Sequence, residues 1–286
     1  MDHPQPTGYL KTMLPRRDFL ASLGAIGLAV YGRPWSPTIV RLDVVGIQLY
    51  TLRTLMERDA EGTLAAVAEI GYREVEFAGY FGMAPGRVRE VLASRGLRAP
   101  AAHVGFPEMG DVWNRVLDAA AEAGHRYVVT PWIAEEHRSA EGYRRAADLF
   151  NRAGAAAASR GLIFAYHNHD FEFVPLGDRL PFDILLDQTD PALVQFEMDL
   201  FWITKGAADP LDYFARYSGR FPLVHVKDMA ADGTMVDVGR GRIDFARIFA
   251  KADQGGIRHY FVEHDNPTDP LDTARRSFEY LSRQDR

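Results

Sequence analysis

Residues 165–173 read AYHNHDFEF: two histidines, an aspartate and a glutamate within nine residues, directly after the apolar run Leu162–Phe164. Imidazoles and carboxylates at this density have two main uses, holding a metal ion or passing protons to and from a bound molecule. Similar side chains recur downstream. FEMDLFW carries Glu197, Asp199 and Trp202, LVHVKD carries His225, Lys227 and Asp228, and FVEHD carries Glu263, His264 and Asp265. Upstream stand Gln48, Tyr50, Glu76, His103 and Trp132. Taken singly, each has an ordinary explanation: a strand-end histidine in a hydrogen bond, a glutamate capping the next helix, a tryptophan packed at a rim. Their joint placement is harder to explain that way.

All of these residues fall at or near the ends of short β-rich runs. Eight such runs are expected as strands, at 43–50, 74–79, 98–104, 127–132, 162–168, 194–200, 222–228 and 259–265. Between them lie helical patterns such as EGTLAAVAEIG, GRVREVLASRG, VWNRVLDAAAEAG and DFARIFAKADQGG, closed by glycines of the kind that end helices. Strands alternating with helices imply parallel pairing, and eight such units predict an α/β fold, a (β/α)8 TIM barrel in a single domain. An open doubly wound sheet is the alternative; the regular units and the lack of a G-x-G-x-x-G after the first strand argue against it. The run 98–104 is Ala-rich and contains Pro100, which a strand tolerates only near its start.

In a barrel the C-terminal strand ends share one rim, so the polar residues would face one another there. Buried unpaired, each charge would cost several kcal/mol, and a divalent cation would offset the repulsion. One His, one Asp and two Glu suit Mn²⁺, Mg²⁺ or Co²⁺, with Zn²⁺ possible. The 286-residue chain has no cysteine, which excludes disulfides, thiolate nucleophiles and cysteine metal sites. Its formal net charge of −6 gives no general attraction for nucleic acid.

The segments YHNHDFEF, FEMDLFW, LVHVKD, VDVGRGRIDF and FVEHD together resemble the xylose isomerase-like TIM barrels, and more narrowly the sugar phosphate isomerase/epimerase family, over about residues 44–284. The resemblance implies one divalent metal held from the last four strands by Asp199, His225 and Glu263, with Glu172 expected as the ligand after strand 5 and His167 or His169 as the alternative. Ala165, His167 and His169 share one strand face, whereas Glu172 has the opposite parity and reaches the metal only if the chain turns first. The implied chemistry is proton transfer next to a carbonyl through a metal-bound enediolate, in an isomerase or epimerase of a sugar or keto-sugar. Glu172 and Glu263 are then the acid/base pair, His169 a proton shuttle, and Lys227 a stabiliser of developing negative charge. His103, His167, Glu76, Trp132 and Trp202 are expected around the substrate, with Glu76 orienting a histidine. A lyase or dehydratase, or an enzyme that cleaves a keto-glycoside, could use the same site. GRGR at 239–242 reads as a phosphate-binding turn or as a loop covering the site.

Two rivals are weaker. A DNA-repair enzyme of the same superfamily needs a three-metal cluster and a basic face. A non-enzymatic periplasmic sugar-binding protein has no use for a metal set with a lysine beside it. The resemblance also implies a homodimer, although no surface stripe in the sequence marks one.

The N-terminus differs in character. LPRRDFLASLGAIGLAVYG, residues 14–32, has paired Arg16 and Arg17 followed by a short apolar run, the pattern of a twin-arginine signal. The run is too short for a stable membrane span. Residues 1–40 are therefore expected to be a signal and linker, read by the twin-arginine export machinery and cut around Gly32 to Ser36, and residues 41–286 an exported, periplasmic catalytic domain.

Overall fold

The computed structural model describes residues 42–283. The expected signal, residues 1–40, lies outside the described residues. Eight parallel strands close into a barrel: β1 (Gly46–Gln48), β2 (Glu74–Ala78), β3 (Arg98–His103), β4 (Tyr127–Thr130), β5 (Ile163–His167), β6 (Val194–Asp199), β7 (Leu223–Val226) and β8 (His259–Val262). They pair in chain order, and β1 closes the ring against β8 in the register Gly46↔Phe261. Helices follow the strands around the outside, so the (β/α)8 barrel expected from alternation is the fold. No helix among the described residues is long and apolar enough to cross a membrane.

The strands are shorter than the β-rich runs because the chain turns away at the rim. Leu49–Leu52 form a 3-10 turn capped by the Gln48 side chain, which accepts from Tyr50 N at 3.0 Å. β8 stops at Val262, which leaves Glu263, His264 and Asp265 in the loop beyond it. Pro100 is accommodated by a register shift: Glu74 pairs with Arg98 but Glu76 with Ala101, so the strand bulges where proline has no N–H to donate. Its carbonyl still accepts from Arg126 N at 2.8 Å. The helix Asp111–Ala123 ends on Gly124 at φ 88, in the left-handed conformation that favours glycine.

Alternation sorts each strand into two layers. Outward residues such as Val75, Phe77, Val128, Phe164, Tyr166, Phe196 and Val224 pack against the helices. Inward, the barrel is filled in the middle by Ala101, Tyr127, Val129, Ala165, Leu223 and Phe261, a small apolar plug with the polar strand ends above it. Gly46 makes room for the Phe261 ring of this plug, because an added Cβ would lie 2.5 Å from that ring and 3.0 Å from the Tyr260 carbonyl. Gly46→Ala should therefore overpack the plug and destabilise the fold by about 1–3 kcal/mol. A urea midpoint lowered at constant slope checks this; an unchanged midpoint would show that Phe261 does not fill the barrel as described.

Candidate active site

Above the plug the inward side chains form two tiers. The lower tier holds Gln48, Glu76, His103 and Glu197. The Glu76 Oε2 atom accepts from Gln48 Nε2 at 2.8 Å and lies 2.6 Å from His225 Nε2, and His103 Nε2 lies 2.8 Å from Glu197 Oε2. The upper tier holds His167, Asp199, Lys227 and Glu263. His167 Nε2 is 3.1 Å from Asp199 Oδ2, and Lys227 Nζ is 3.0 Å from Asp199 and 2.8 Å from Glu263. His225 belongs to both tiers. Its Nε2 faces Glu76 and Glu197, and its Nδ1 lies 2.6 Å from Glu263.

One ligand atom from each of His167, Asp199, His225 and Glu263 fits within 4.8 Å of the others. His225 Nδ1 and Lys227 Nζ both converge on the buried Glu263 Oε2, at 2.6 and 2.8 Å. Two imidazoles and two carboxylates converging on one buried point are a donor set that fits a divalent cation. Asp199 is held in place from outside the set. Its Oδ1 caps the following turn by accepting from Trp202 N at 2.8 Å, and its own N–H donates to Asn168 Oδ1 at 3.0 Å. The carboxylates beneath His225 orient it in the way that supporting groups orient metal-ligating imidazoles.

Electrostatics follow from burial and opposed charge. Burial pushes Glu76 up to about 7, with the Glu197 charge adding to it. Glu197 goes the other way: burial raises it, but the charges on His225 and His103 outweigh burial and hold it below the ordinary carboxylate range. Burial opposes the charge on Lys227, yet Asp199, Glu263 and Asp265 together raise its pKa well above the ordinary value. For His169, burial dominates and keeps the ring neutral, helped by the neighbouring His167.

A pocket of about 580 Å³ opens over the upper tier. His103, His167, His169, Lys227, Glu263 and Trp132 line it, as do Asp265 and Asn266. The His169 ring stacks on Phe171 at 5.3 Å and meets Trp132 edge-on at 4.8 Å. Trp202 stands behind His169 at 5.3 Å and outside that lining.

Two expectations need correction. Glu172 does not join the metal set. β5 ends at His167, the turn Phe171–Phe173 swings Glu172 outward, and its carboxyl accepts from Tyr166 Oη at 2.5 Å and from His169 N at 2.7 Å. Tyr166 belongs to the layer between strands and helices, so Glu172 sits behind the strand, fully buried and absent from the pocket. The carboxyl expected in an acid/base pair is thus outside the pocket lining, and His167 stands with Asp199, His225 and Glu263 at the strand 5 position. Glu76 is likewise no substrate contact: it is fully buried beneath His225, where it orients that ring. Sequence reasoning noted Asn168 and Glu197 at strand ends but gave neither a role. Glu197 shares the inward parity of Asp199, which was the available signal; nothing local marked Asn168 as the brace for a residue on the next strand.

The GRGR turn is not open to phosphate. The Asp228 carboxylate accepts from Gly239 N at 2.9 Å, Gly241 N at 2.8 Å and Ile243 N at 3.2 Å, so the turn's amides already hold an anion from the chain itself.

Residues 64–284 match the family described as xylose isomerase-like TIM barrel. Among curated proteins, an inosose dehydratase of Geobacillus kaustophilus is 24% identical over 265 residues, spanning 77% of this chain and 85% of that one. Among solved structures, a sugar phosphate isomerase/epimerase from Parabacteroides distasonis superposes with a TM-score of 0.73 at 26% identity, covering 86% of this chain and 98% of that one. The IOLI protein, solved with a bound zinc atom, shares the fold at a TM-score of 0.65 and 15% identity, covering 84% of this chain and 98% of that one.

His167→Ala should lower divalent-metal affinity by ~100-fold or more, at or above the loss typical of removing a group that merely supports a ligand. Glu172→Gln should leave it unchanged; calorimetric titration with Mn²⁺ or Zn²⁺ separates the two, and the reverse ranking would restore Glu172 to the set. Glu172 also predicts a pH effect. Burial pushes its pKa from about 4.5 up to about 8, so the stability carried by its protonated form is complete below about 4.5 and lost as pH rises through about 8. The stability difference between wild type and Glu172→Gln should fall across that window and stay level above it, measured by denaturation at pH 5, 7 and 9.

Proposed function

This chain belongs to the xylose isomerase-like TIM barrel family, and from that premise we propose that it is a divalent-metal-dependent lyase of the dehydratase kind. Its substrate is a sugar-like polyol carrying a ketone, and it removes a proton beside the carbonyl and expels the oxygen substituent one carbon further on. The observation that carries this reading is the opposition of two walls. Glu263 and Asp265 follow β8, whereas His103 ends β3 and His167 and His169 lie at and beyond the end of β5. In the ring order, β8 stands across the barrel from β4, between those two strands. A carboxylate wall therefore faces an imidazole wall, in place of two facing carboxylates.

The residues that would hold the metal are His167, Asp199, His225 and Glu263. When bound there, a divalent cation supplies Lewis acidity that polarises a carbonyl oxygen and makes the neighbouring proton removable. Burial opposes the Glu263 charge, but Lys227 and His225 outweigh burial and hold it well below the ordinary carboxylate range, so it stands ionised and ready to accept that proton. Lys227, between Asp199 and Glu263, places positive charge beside the developing anion. A departing hydroxyl needs a proton as its C–O bond breaks. Burial opposes the charge on His103 as well, yet Glu76 and Glu197 raise its pKa above the ordinary value, which suits it to give that proton. The proton from carbon passes to Glu263, the carbon–carbon double bond forms, and the leaving hydroxyl departs as water with the proton from His103. Trp132, 47% exposed at the pocket edge, offers a face to the apolar side of a polyol ring.

The curated relative named an inosose dehydratase supports elimination. An isomerase or epimerase is the second reading, favoured by the Parabacteroides distasonis structure; there the proton taken by Glu263 would return from His169 on the facing wall. Export through the twin-arginine route remains our reading of Arg16, Arg17 and the apolar run behind them, and with the occupied GRGR turn it favours unphosphorylated substrates.

Incubating the metal-loaded enzyme with keto-inositols and keto-sugars in deuterated water tests this directly. Loss of water with an unsaturated ketone product is expected; an epimer carrying solvent deuterium would sink elimination in favour of the second reading. Glu263→Gln should lower kcat by ~10³-fold, within the range of a lost general base. Near-normal turnover in that variant would remove Glu263 from the reaction.

A further inference from the structure

A second cavity of about 500 Å³ adjoins the first. The two share His103, Val104 and Gly105 as a common wall. The rest of the second cavity is mainly apolar, formed by Ala102, Val112, Val116, Ala119 and the Tyr80 ring. Tyr80 is braced by stacking on His125, with ring centres 5.8 Å apart and planes within 4°. An added Cβ at Gly105 would meet no heavy atom within 4 Å, and its backbone is not in the left-handed range, so neither crowding nor conformation demands glycine there. As glycine it adds no side chain to the wall between the two spaces. Arg115 also lines this cavity, is exposed, and has no hydrogen-bond or ion-pair partner among the described residues.

We propose that this annex binds an aryl group joined through oxygen to the keto-polyol in the main pocket, so that the substrate has a polar half over the metal set and an aromatic half between β3 and the helix Asp111–Ala123. A free polyol has no use for a wall of Val112, Val116 and Ala119, since its hydroxyls would be left without partners there. An aromatic ring gains from burial against those side chains, and an unpaired guanidinium is attracted to its face. The shared wall places the link between the two halves beside His103, the imidazole that lines both spaces. The inference rests on the keto-polyol reading of the main pocket.

The test uses stable probes. Phenyl β-glucoside and methyl β-glucoside are titrated calorimetrically into the folded, metal-loaded protein and into two annex variants, Ala119→Phe, which fills the space, and Val112→Glu, which places a charge at its 42%-exposed lip. Circular dichroism and thermal melting establish that both variants fold. Wild type should bind the phenyl probe about tenfold or more tightly than the methyl probe. Ala119→Phe should reduce that preference below about twofold and Val112→Glu should weaken it, with methyl glucoside affinity and deuterium exchange of a keto-inositol unchanged. Equal affinity for the two probes in wild type, or a preference that survives in both variants, overturns the annex. A phenyl preference lost in the variants, with no exchange or elimination on any keto-polyol, would uphold the annex and sink the reaction proposed above. Exchange without a phenyl preference would do the opposite.

Discussion

One imidazole ring governs the interior of this barrel. His225 is fully buried and faces carboxylates with both nitrogens, Glu76 and Glu197 on one side and Glu263 on the other. Five acidic side chains, counting Asp199 and Asp265, stand in or beside the two tiers, and all but Asp265 are buried. Such a density of charge is tolerable only when cations and hydrogen bonds lie between the carboxylates. Lys227 supplies one cation and His225 the other link, and burial opposes the charge of each while the surrounding carboxylates outweigh it. A metal ligand must offer a lone pair, so holding a cation through Nδ1 requires that His225 keep its proton on Nε2, where Glu76 receives it. The lower tier thus sets the tautomer on which the upper tier depends.

The barrel makes this arrangement possible by separating the tasks along its axis. The apolar plug of Ala101, Tyr127, Val129, Ala165, Leu223 and Phe261 carries the packing, and the strand ends above it are released from that duty. Gly46 and the bulge at Pro100 are adjustments of the same frame: one admits Phe261, the other lets β3 carry a proline and still deliver His103 to the rim. Short strands matter as well, because residues just past their ends, such as His169 and Glu263, turn over the opening instead of continuing up the wall.

Much of this was legible in the chain. β-rich runs alternating with helical patterns closed by glycine are local signals, and they carried the eight strands and the barrel. Asp199, His225 and Glu263 were legible through the family resemblance, and each stands at or just past a strand's end. Glu172 was not, because its position is decided past the strand, where a short turn and the hydroxyl of Tyr166 compete with the site for the same carboxyl. Parity argued against Glu172 from the outset, and the family resemblance argued for it; parity was the better guide. Glu76 was recognised as a group that orients a histidine, yet its depth below the pocket, which rules out contact with substrate, depends on the stagger of neighbouring strands. The GRGR turn was read as a possible anion site, and the turn does hold an anion. The partner, Asp228, lies eleven residues away from Gly239 and is visible only once the chain has folded back.

The Asp228 clamp also bears on how the protein can change. The carboxylate next to Lys227 grips backbone amides on the far side of the loop, and Met229 pairs with Met235 in a short ribbon between. Both ends of the segment 230–238 are therefore tied down by main-chain contacts, which do not depend on which side chains the segment carries. Such a loop is a cassette: its sequence, and within limits its length, can drift without moving the lysine at its root. Variation here would alter what stands at the pocket's edge beside Asp265, whose N–H meets Met235 Sδ at 3.2 Å, while the reacting groups keep their geometry, which is one route by which a single scaffold acquires new substrates.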